Sequence, residues 1–311
     1  MRKYLTILAF VLILFASLIG CTEKSDQQIV EVSDGAKAVF FEVANEGNTV
    51  YLLGSIHVGK SDMYPLQGKI EEAYASSSHL AVEVNINDIS ELEMIQHISE
   101  LGLYLDGSTL KDHIDSDLYD ELLALLNEYG MQENEVSIFK PWLVTQMVEA
   151  ILAEQQGYST DLGIDQYFLT KAAEDEKKII SLETVEEQLN LLAMLSADSQ
   201  EKLLHSSVFE QAENEAMIND LVTKWIDGDI AGLAELRKID EDEPEDYLEF
   251  YNAFTDERDK KMAQKIDGFL QNESSETYFV VVGALHLVGE NSIVDVLKSK
   301  GYDVKMIFTN K

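Results

Sequence analysis

Val50-Tyr51-Leu52-Leu53-Gly54-Ser55-Ile56-His57-Val58-Gly59 is an apolar, β-branched and aromatic run that meets a glycine, a histidine three residues later, and a second glycine. The same order returns near the other end of the 311-residue chain, as Tyr278-Phe279-Val280-Val281-Val282-Gly283-Ala284-Leu285-His286-Leu287-Val288-Gly289. Continuous apolar runs of this kind read as strands buried on both faces, in a sheet covered by helices. Glycine at the strand end lets the backbone turn sharply. Each histidine is therefore expected at a sheet rim, where open α/β sheets carry their ligands. One sheet holding both strands would bring the two histidines together.

Working outward, Ala38 to Val43 and Thr49 to Leu53 flank Asn45-Glu46-Gly47-Asn48, the pattern of a hairpin. Leu66, Ile70, Ala73 and Tyr74 share a helical face, and Leu80-Ala81-Val82-Glu83-Val84 reads as the next strand, so a crossover and a parallel pair are expected. From Ile89 to Gln156 the periodicity is helical, with breaks at Asp106-Gly107-Ser108 and Gly130 and with Pro141 suited to a first helical turn. Lys178 to Glu183 reads as a short strand. Thr184 to Leu270 reads as helices only, with a turn at Asp227-Gly228-Asp229 and an acidic run, Asp240 to Asp246, as a solvated connection. A helix over Ile293 to Lys300, Gly301 as its stop and a strand Val304 to Phe308 close the chain. The predicted fold is α/β (α+β): a central mixed sheet built from two strand, G-x-x-H, helix, strand repeats that enclose a helical insertion over residues 89–270.

Arg2 and Lys3 precede an uncharged apolar run from Tyr4 to Ile19, too short to span a bilayer comfortably, which reads as a signal peptide. It ends in Leu18-Ile19-Gly20-Cys21, which resembles the lipobox of bacterial lipoproteins, with Cys21 as the acylated residue. The expected organisation is a lipoprotein signal peptide over 1–20, a polar tether over 21–37 and one domain over 38–311. Cys21 is the only cysteine, so disulfides, zinc-cysteine sites and a cysteine nucleophile are excluded. Loss of Arg2 and Lys3 with the signal leaves 21 Lys plus Arg against 58 Asp plus Glu, a formal charge of −37. Such a surface repels phosphate backbones, which argues against nucleic acid as a partner and leaves membrane attachment to the lipid.

His57, Glu83, Glu183 and His286 all fall at predicted carboxyl ends of strands. Two imidazoles with one or two carboxylates suit a divalent metal with a position left for water, whose pKa the ion lowers. Without metal, the same groups suit general-base hydrolysis by a histidine that a glutamate orients. Glu83 interrupts an apolar strand and needs a partner there. Glu183 adjoins Thr184, a residue equally suited to capping the next helix. His79, His97, His113 and His205 lack the matching context and are expected at the surface, and Trp142 is expected in the core. No nucleophile elbow, phosphate loop, H-E-x-x-H helix or dinucleotide fingerprint is present.

Taken in order, Leu53-Gly54-Ser55-Ile56-His57, Glu83, Lys140-Pro141-Trp142, Gly163-Ile164-Asp165, Leu182-Glu183-Thr184 with Gln188, Arg258, and Val282 to Gly289 resemble the TraB/GumN family, which includes the animal Tiki proteases and the pheromone-shutdown proteins. The resemblance implies that His57, His286 and Glu83 carry activity, as metal ligands or acid-base groups. Tiki members are metal-dependent peptidases that clip a secreted signalling protein near its amino terminus, with manganese or cobalt as favoured ions, so the resemblance implies one of these ahead of zinc. Glu183 would assist, and Arg258 would suit a carboxylate or the oxyanion of a tetrahedral intermediate. Family members usually carry Arg-Asn where this chain has Arg258-Asp259, a change that removes an amide donor and adds negative charge. Related folds include the erythromycin esterases and a haem-binding lipoprotein group, so the scaffold does not determine the substrate. The expected function is thus a lipid-anchored, extracytoplasmic, metal-dependent hydrolase acting on peptides or secreted proteins. The alternatives are a non-catalytic binder of a peptide signal or haem, and a metal-free ester hydrolase with His57 as base.

Overall fold

The computed structural model describes residues 35–239, 243 and 245–308. The expected signal peptide, Cys21 and most of the tether lie outside the described residues, as does much of the acidic run at 240–246. The chain is already pinned at Ala36 and Lys37, whose amides donate to Pro65 O and Ile226 O.

Six strands form one sheet: β1 (Phe40–Asn45), β2 (Asn48–Ser55), β3 (His79–Val82), β4 (Lys178–Ser181), β5 (Thr277–Gly283) and β6 (Val304–Met306), in the spatial order β4-β3-β5-β2-β1-β6. The β1–β2 hairpin closes through Glu46 and Gly47, whose φ values of 48° and 95° are the positive pair that a two-residue turn between twisted strands requires. β2, β5, β3 and β4 pair in parallel, and β1 pairs antiparallel with both β2 and β6. β1 alone therefore runs against the rest.

The helix α1 (Gly68–Ser76) makes the expected crossover, but β2 and β3 do not pair with each other. The C-terminal β5 lies between them. Its five central residues, Tyr278 to Val282, are all buried, and a strand covered on both faces gains most by taking a central place. Alternation along β5 sends Phe279 toward Tyr74 of α1 and Phe168 of α6 (Ile164–Glu174), at ring separations of 5.6 and 4.8 Å. Tyr278 faces the other way, stacked at 4.5 Å on Phe269 of α12 (Arg258–Leu270). Helices thus cover both faces. His79, expected at the surface, instead starts β3 stacked at 4.9 Å on Tyr278, because the parallel register places the two side by side.

The predicted insertion is helical, but it does not stay apart from the sheet. Helices α2 (Glu91–Gly102), α3 (Ser116–Glu128), α4 (Glu133–Val136) and α5 (Pro141–Gln155), with α7 (Val185–Ala193) and α8 (Ala197–Phe209), build two apolar cores of their own, with Trp142 buried in one of them. Pro141 occupies the first turn of α5, where a missing N–H costs nothing. The segments α6, β4 and α12 return to the sheet. Along the way the chain adds α9 (Gln211–Asp227), α10 (Ile230–Leu236) and α11 (Glu245–Asn252), and it ends with α13 (Ile293–Ser299) before β6.

Candidate functional site

Glu83 and Glu183 leave neighbouring strands side by side because the β3–β4 ladder runs on past its last strand pair. Leu182 N donates to Val82 O at 2.8 Å and Glu183 N to Glu83 O at 2.7 Å. Two buried carboxylates this close repel, and each is costly without a counter-charge. Arg258, at the start of α12, is that counter-charge. Its Nη2 donates to Glu83 Oε2 at 2.7 Å and to Glu183 Oε2 at 2.6 Å, and its Nε donates to Glu183 Oε1 at 2.8 Å. Gln188 of α7 donates to the same two Oε2 atoms at 3.1 and 3.2 Å, and the Gly283 amide donates to Glu83 Oε1 at 2.6 Å.

Burial alone would raise the Glu83 pKa. The Arg258 guanidinium, then His286, His57 and the Gly283 N–H, outweigh it and hold the carboxyl well below the usual range. Arg258 is itself 2% exposed and spends its guanidinium on two glutamates, so it orders the acidic side of the site rather than offering itself to a ligand.

The two G-x-x-H turns leave adjacent parallel strands at the same edge of the sheet, with Ser55 opposite Gly283. His286 lies in a 3-10 turn (Ala284–Leu287), buried, with Nε2 3.8 Å from Glu83 Oε1 and Nδ1 2.5 Å from Asp259 Oδ1. His57 keeps 18% exposure, and its Nδ1 is 3.1 Å from Asp165 Oδ2 at the start of α6. Burial alone would lower the His57 pKa. The Asp165 carboxylate, helped by Glu83, overcomes this and lifts it to about 9. Neither motif glycine adopts the positive φ that a sharp turn would demand, so their expected role needs correcting. They are needed for close approach: a Cβ on Gly54 would lie 2.8 Å from Ala284 Cα, and one on Gly283 would press on Glu83 Oε1 and the His286 ring at 3.2 and 3.3 Å.

A carboxylate facing Nδ1 keeps a proton there and leaves Nε2 as the nitrogen that can ligate a metal or exchange its proton; on His57, whose pKa is about 9, a metal would have to displace the Nε2 proton at neutral pH. Both histidines have this backing. Among the described residues, His57 Nε2, Asp165 Oδ1 and Ser55 Oγ are buried without a protein partner, which marks this edge as a place for a bound polar species. The donor types and their backing suit a divalent ion on His57, His286 and Glu83. As placed, however, no three His, Cys, Asp or Glu side chains among the described residues gather closely enough to hold one. Glu83 is turned to Arg258, Gln188 and the Gly283 amide instead.

The sequence profile of the TraB/PrgY/gumN family matches residues 39–306, nearly all of the described structure. The chain belongs to the TraB/PrgY/gumN family. It is similar to the uncharacterized protein YbaP of Escherichia coli, 24% identical over 80% of this chain and 87% of that protein. It is also similar to the metalloprotease TIKI homolog of Nematostella vectensis, 22% identical over 83% of this chain and 64% of the relative, and to metalloprotease TIKI1 of Danio rerio, 24% identical over 82% and 60%. The chain thus spans less than two thirds of the length of those two metalloproteases. No solved structure matches it.

In this family member the structure brings together Glu83, Glu183, Arg258 and His286, with His57 at the same edge beside Asp165. Asp165 and Asp259 as imidazole partners, and Arg237 behind Asp259, were not legible as such in the sequence. Asp165 sits in the Gly163-Ile164-Asp165 landmark, and its reason is steric: a Cβ on Gly163 would lie 2.4 Å from His57 O, and Ile164 N donates to Ile56 O at 3.0 Å. That tight contact seats the start of α6 against the first histidine turn. Arg237 carries no local signal, since it reaches the site from the end of α10.

Proposed function

We propose that this protein is a divalent-metal-dependent hydrolase of peptides or secreted proteins, held outside the cytoplasm by a lipid on Cys21. The reading rests above all on the paired arrangement in which Asp165 and Asp259 face the Nδ1 atoms of His57 and His286, leaving the two Nε2 atoms as the nitrogens available to an ion at one sheet edge beside Glu83. Family membership and the metalloprotease relatives support the same class. His57, His286 and Glu83 are the residues that would hold the ion, manganese or cobalt in preference to zinc. Such an ion would supply a water of lowered pKa and polarise the scissile carbonyl. The chain's own groups do the rest. Arg258 and Gln188 restrain Glu83, Glu183 balances Arg258, and the imidazoles are oriented by their carboxylates.

Incubation of the protein with a peptide library, read by mass spectrometry, tests the proposal. Cleavage that chelators abolish, that Mn²⁺ or Co²⁺ restores, and that His57→Ala and His286→Ala lack is the expected result. The turn of Glu83 toward Arg258 favours one competing reading, metal-free hydrolysis with His57 as base, which would rise with pH toward about 9 as the ring loses its proton. Cleavage that survives chelation yet fails in His57→Ala would establish it, and peptides retained intact would point to a binding protein instead.

A further inference from the structure

We infer that Asp259 and Arg237 act as a couple that selects the tautomer of His286, a positioning role that rests on reading His286 as a site residue. Asp259 is fully buried and divides its carboxylate between two neighbours: Oδ1 lies 2.5 Å from His286 Nδ1, and Oδ2 accepts from Arg237 Nη1 at 2.6 Å. Arg237 is 7% exposed and held on further sides. The same Nη1 donates to Leu285 O at 2.7 Å, and Nη2 donates to Asp256 Oδ1 at 2.9 Å. Asn291 Nδ2 donates to the second oxygen of Asp256 at 2.7 Å. Leu285 directly precedes His286, so one guanidinium grips both the backbone of the second G-x-x-H turn and the carboxylate that faces its imidazole.

A guanidinium has donors only, so whatever atom of residue 259 faces Arg237 must accept. A carboxylate has a second acceptor to spare, and His286 Nδ1 must then carry the proton, leaving Nε2 as the lone pair toward Glu83. An amide at 259 would be nearly isosteric and could not serve both neighbours. Its single oxygen would go to Arg237 and its NH2 to the imidazole. Nδ1 would then have to accept, and the proton would move to Nε2. Arg237 is thus the reason that an aspartate, and not an asparagine, is required at 259 in this chain. Removing Arg237 as well frees the amide to turn its oxygen back to Nδ1–H.

The test is the tautomer itself, read by long-range ¹H–¹⁵N correlation in metal-free, [¹⁵N]histidine-labelled protein at mildly alkaline pH, with the His286 signals assigned from His286→Gln. The wild type is expected to hold the proton on Nδ1, Asp259→Asn to hold it on Nε2, and Arg237→Met/Asp259→Asn to return it to Nδ1. Where turnover is measurable, Asp259→Asn should lower it by about 10–100-fold, the usual loss when the partner behind a ligating histidine is changed. A wild-type ring protonated on both nitrogens, or a tautomer unchanged in Asp259→Asn, overturns the inference. Asp259→Asn keeps Arg237 bonded to Asp256 and Leu285 O, so the single variant decides even if the double variant does not fold. A switch of tautomer in a protein that hydrolyses nothing upholds the couple and removes only the hydrolase reading. Turnover without the switch does the reverse.

Discussion

Asp165 Oδ2 lies 3.1 Å from His57 Nδ1, in the same relation that Asp259 Oδ1 has to His286 Nδ1 at 2.5 Å. The chain therefore backs both halves of its duplicated motif with a carboxylate, and it draws the two carboxylates from unrelated helices, α6 and α12. The first pair is the more exposed, with Asp165 at 27%, and the second is buried. Substitutions at the first pair can thus be read with less risk to the fold.

Asp165→Asn should bring the His57 imidazole from about 9 to below its ordinary value of 6.5 in the metal-free protein, because burial, the largest influence and a lowering one, would lose its main opponent. The linkage has a definite sign. His57 is raised in the folded state, so the pair's contribution to stability is complete below pH 6.5 and is lost as pH rises through about 9. NMR titration of the His57 ring checks the shift, and a ring still titrating near 9 in Asp165→Asn would refute it.

Arg258→Met should destabilise the protein by about 3–5 kcal/mol, the scale for stripping the counter-charge from buried ions. Glu83 and Glu183 would be left facing each other with Gln188 and one backbone N–H between them. Adding Glu83→Gln and Glu183→Gln to Arg258→Met should recover much of the loss. Denaturant unfolding gives both numbers, and a loss below about 1 kcal/mol, the range of an exposed pair, would mean that the cluster is solvated.

Glu149 of α5 is buried against Ser207 of α8, whose hydroxyl donates to it, with no cation beside it among the described residues. Burial lifts its pKa from 4.5 to about 7, opposed only by the Ser207 hydrogen bond. Here the folded-state value is raised, so the wild type is unpenalised below pH 4.5 and loses stability as pH rises through about 7. Glu149→Gln should therefore gain up to ~3 kcal/mol over the wild type between about pH 4.5 and pH 8.5. Paired melts at the two pH values check it, and a pH-independent difference would place the carboxylate in water.

Two glycine-to-alanine changes should move stability in opposite directions. At Gly163 the added Cβ meets the His57 carbonyl at 2.4 Å, a backbone clash that should cost about 1–3 kcal/mol and disturb the first histidine turn. Gly268, exposed in α12 with nothing within 4 Å of an added Cβ, should gain about 0.5–1 kcal/mol from better helix propensity. Thermal melts of the two variants side by side decide the matter, and a Gly163→Ala protein as stable as the wild type would contradict the contact.

The sequence by itself determined the strands, most helices and the edge of the sheet at which the ionisable residues gather, since apolar runs, glycine punctuation and a repeated G-x-x-H are local patterns that local sterics and burial enforce. It also placed His57, Glu83, Glu183 and His286 at strand ends, because a strand's last residues follow directly from where its apolar run stops. Tertiary structure alone decided the strand order, with β5 between β2 and β3, and the identity of each ionisable residue's partner. Arg258 between two glutamates, Asp165 behind His57, and Asp259 with Arg237 behind His286 join residues from separate helices. A buried charge takes whatever opposite charge the packing delivers to it, and that delivery is a property of helix placement over the sheet rather than of spacing along the chain.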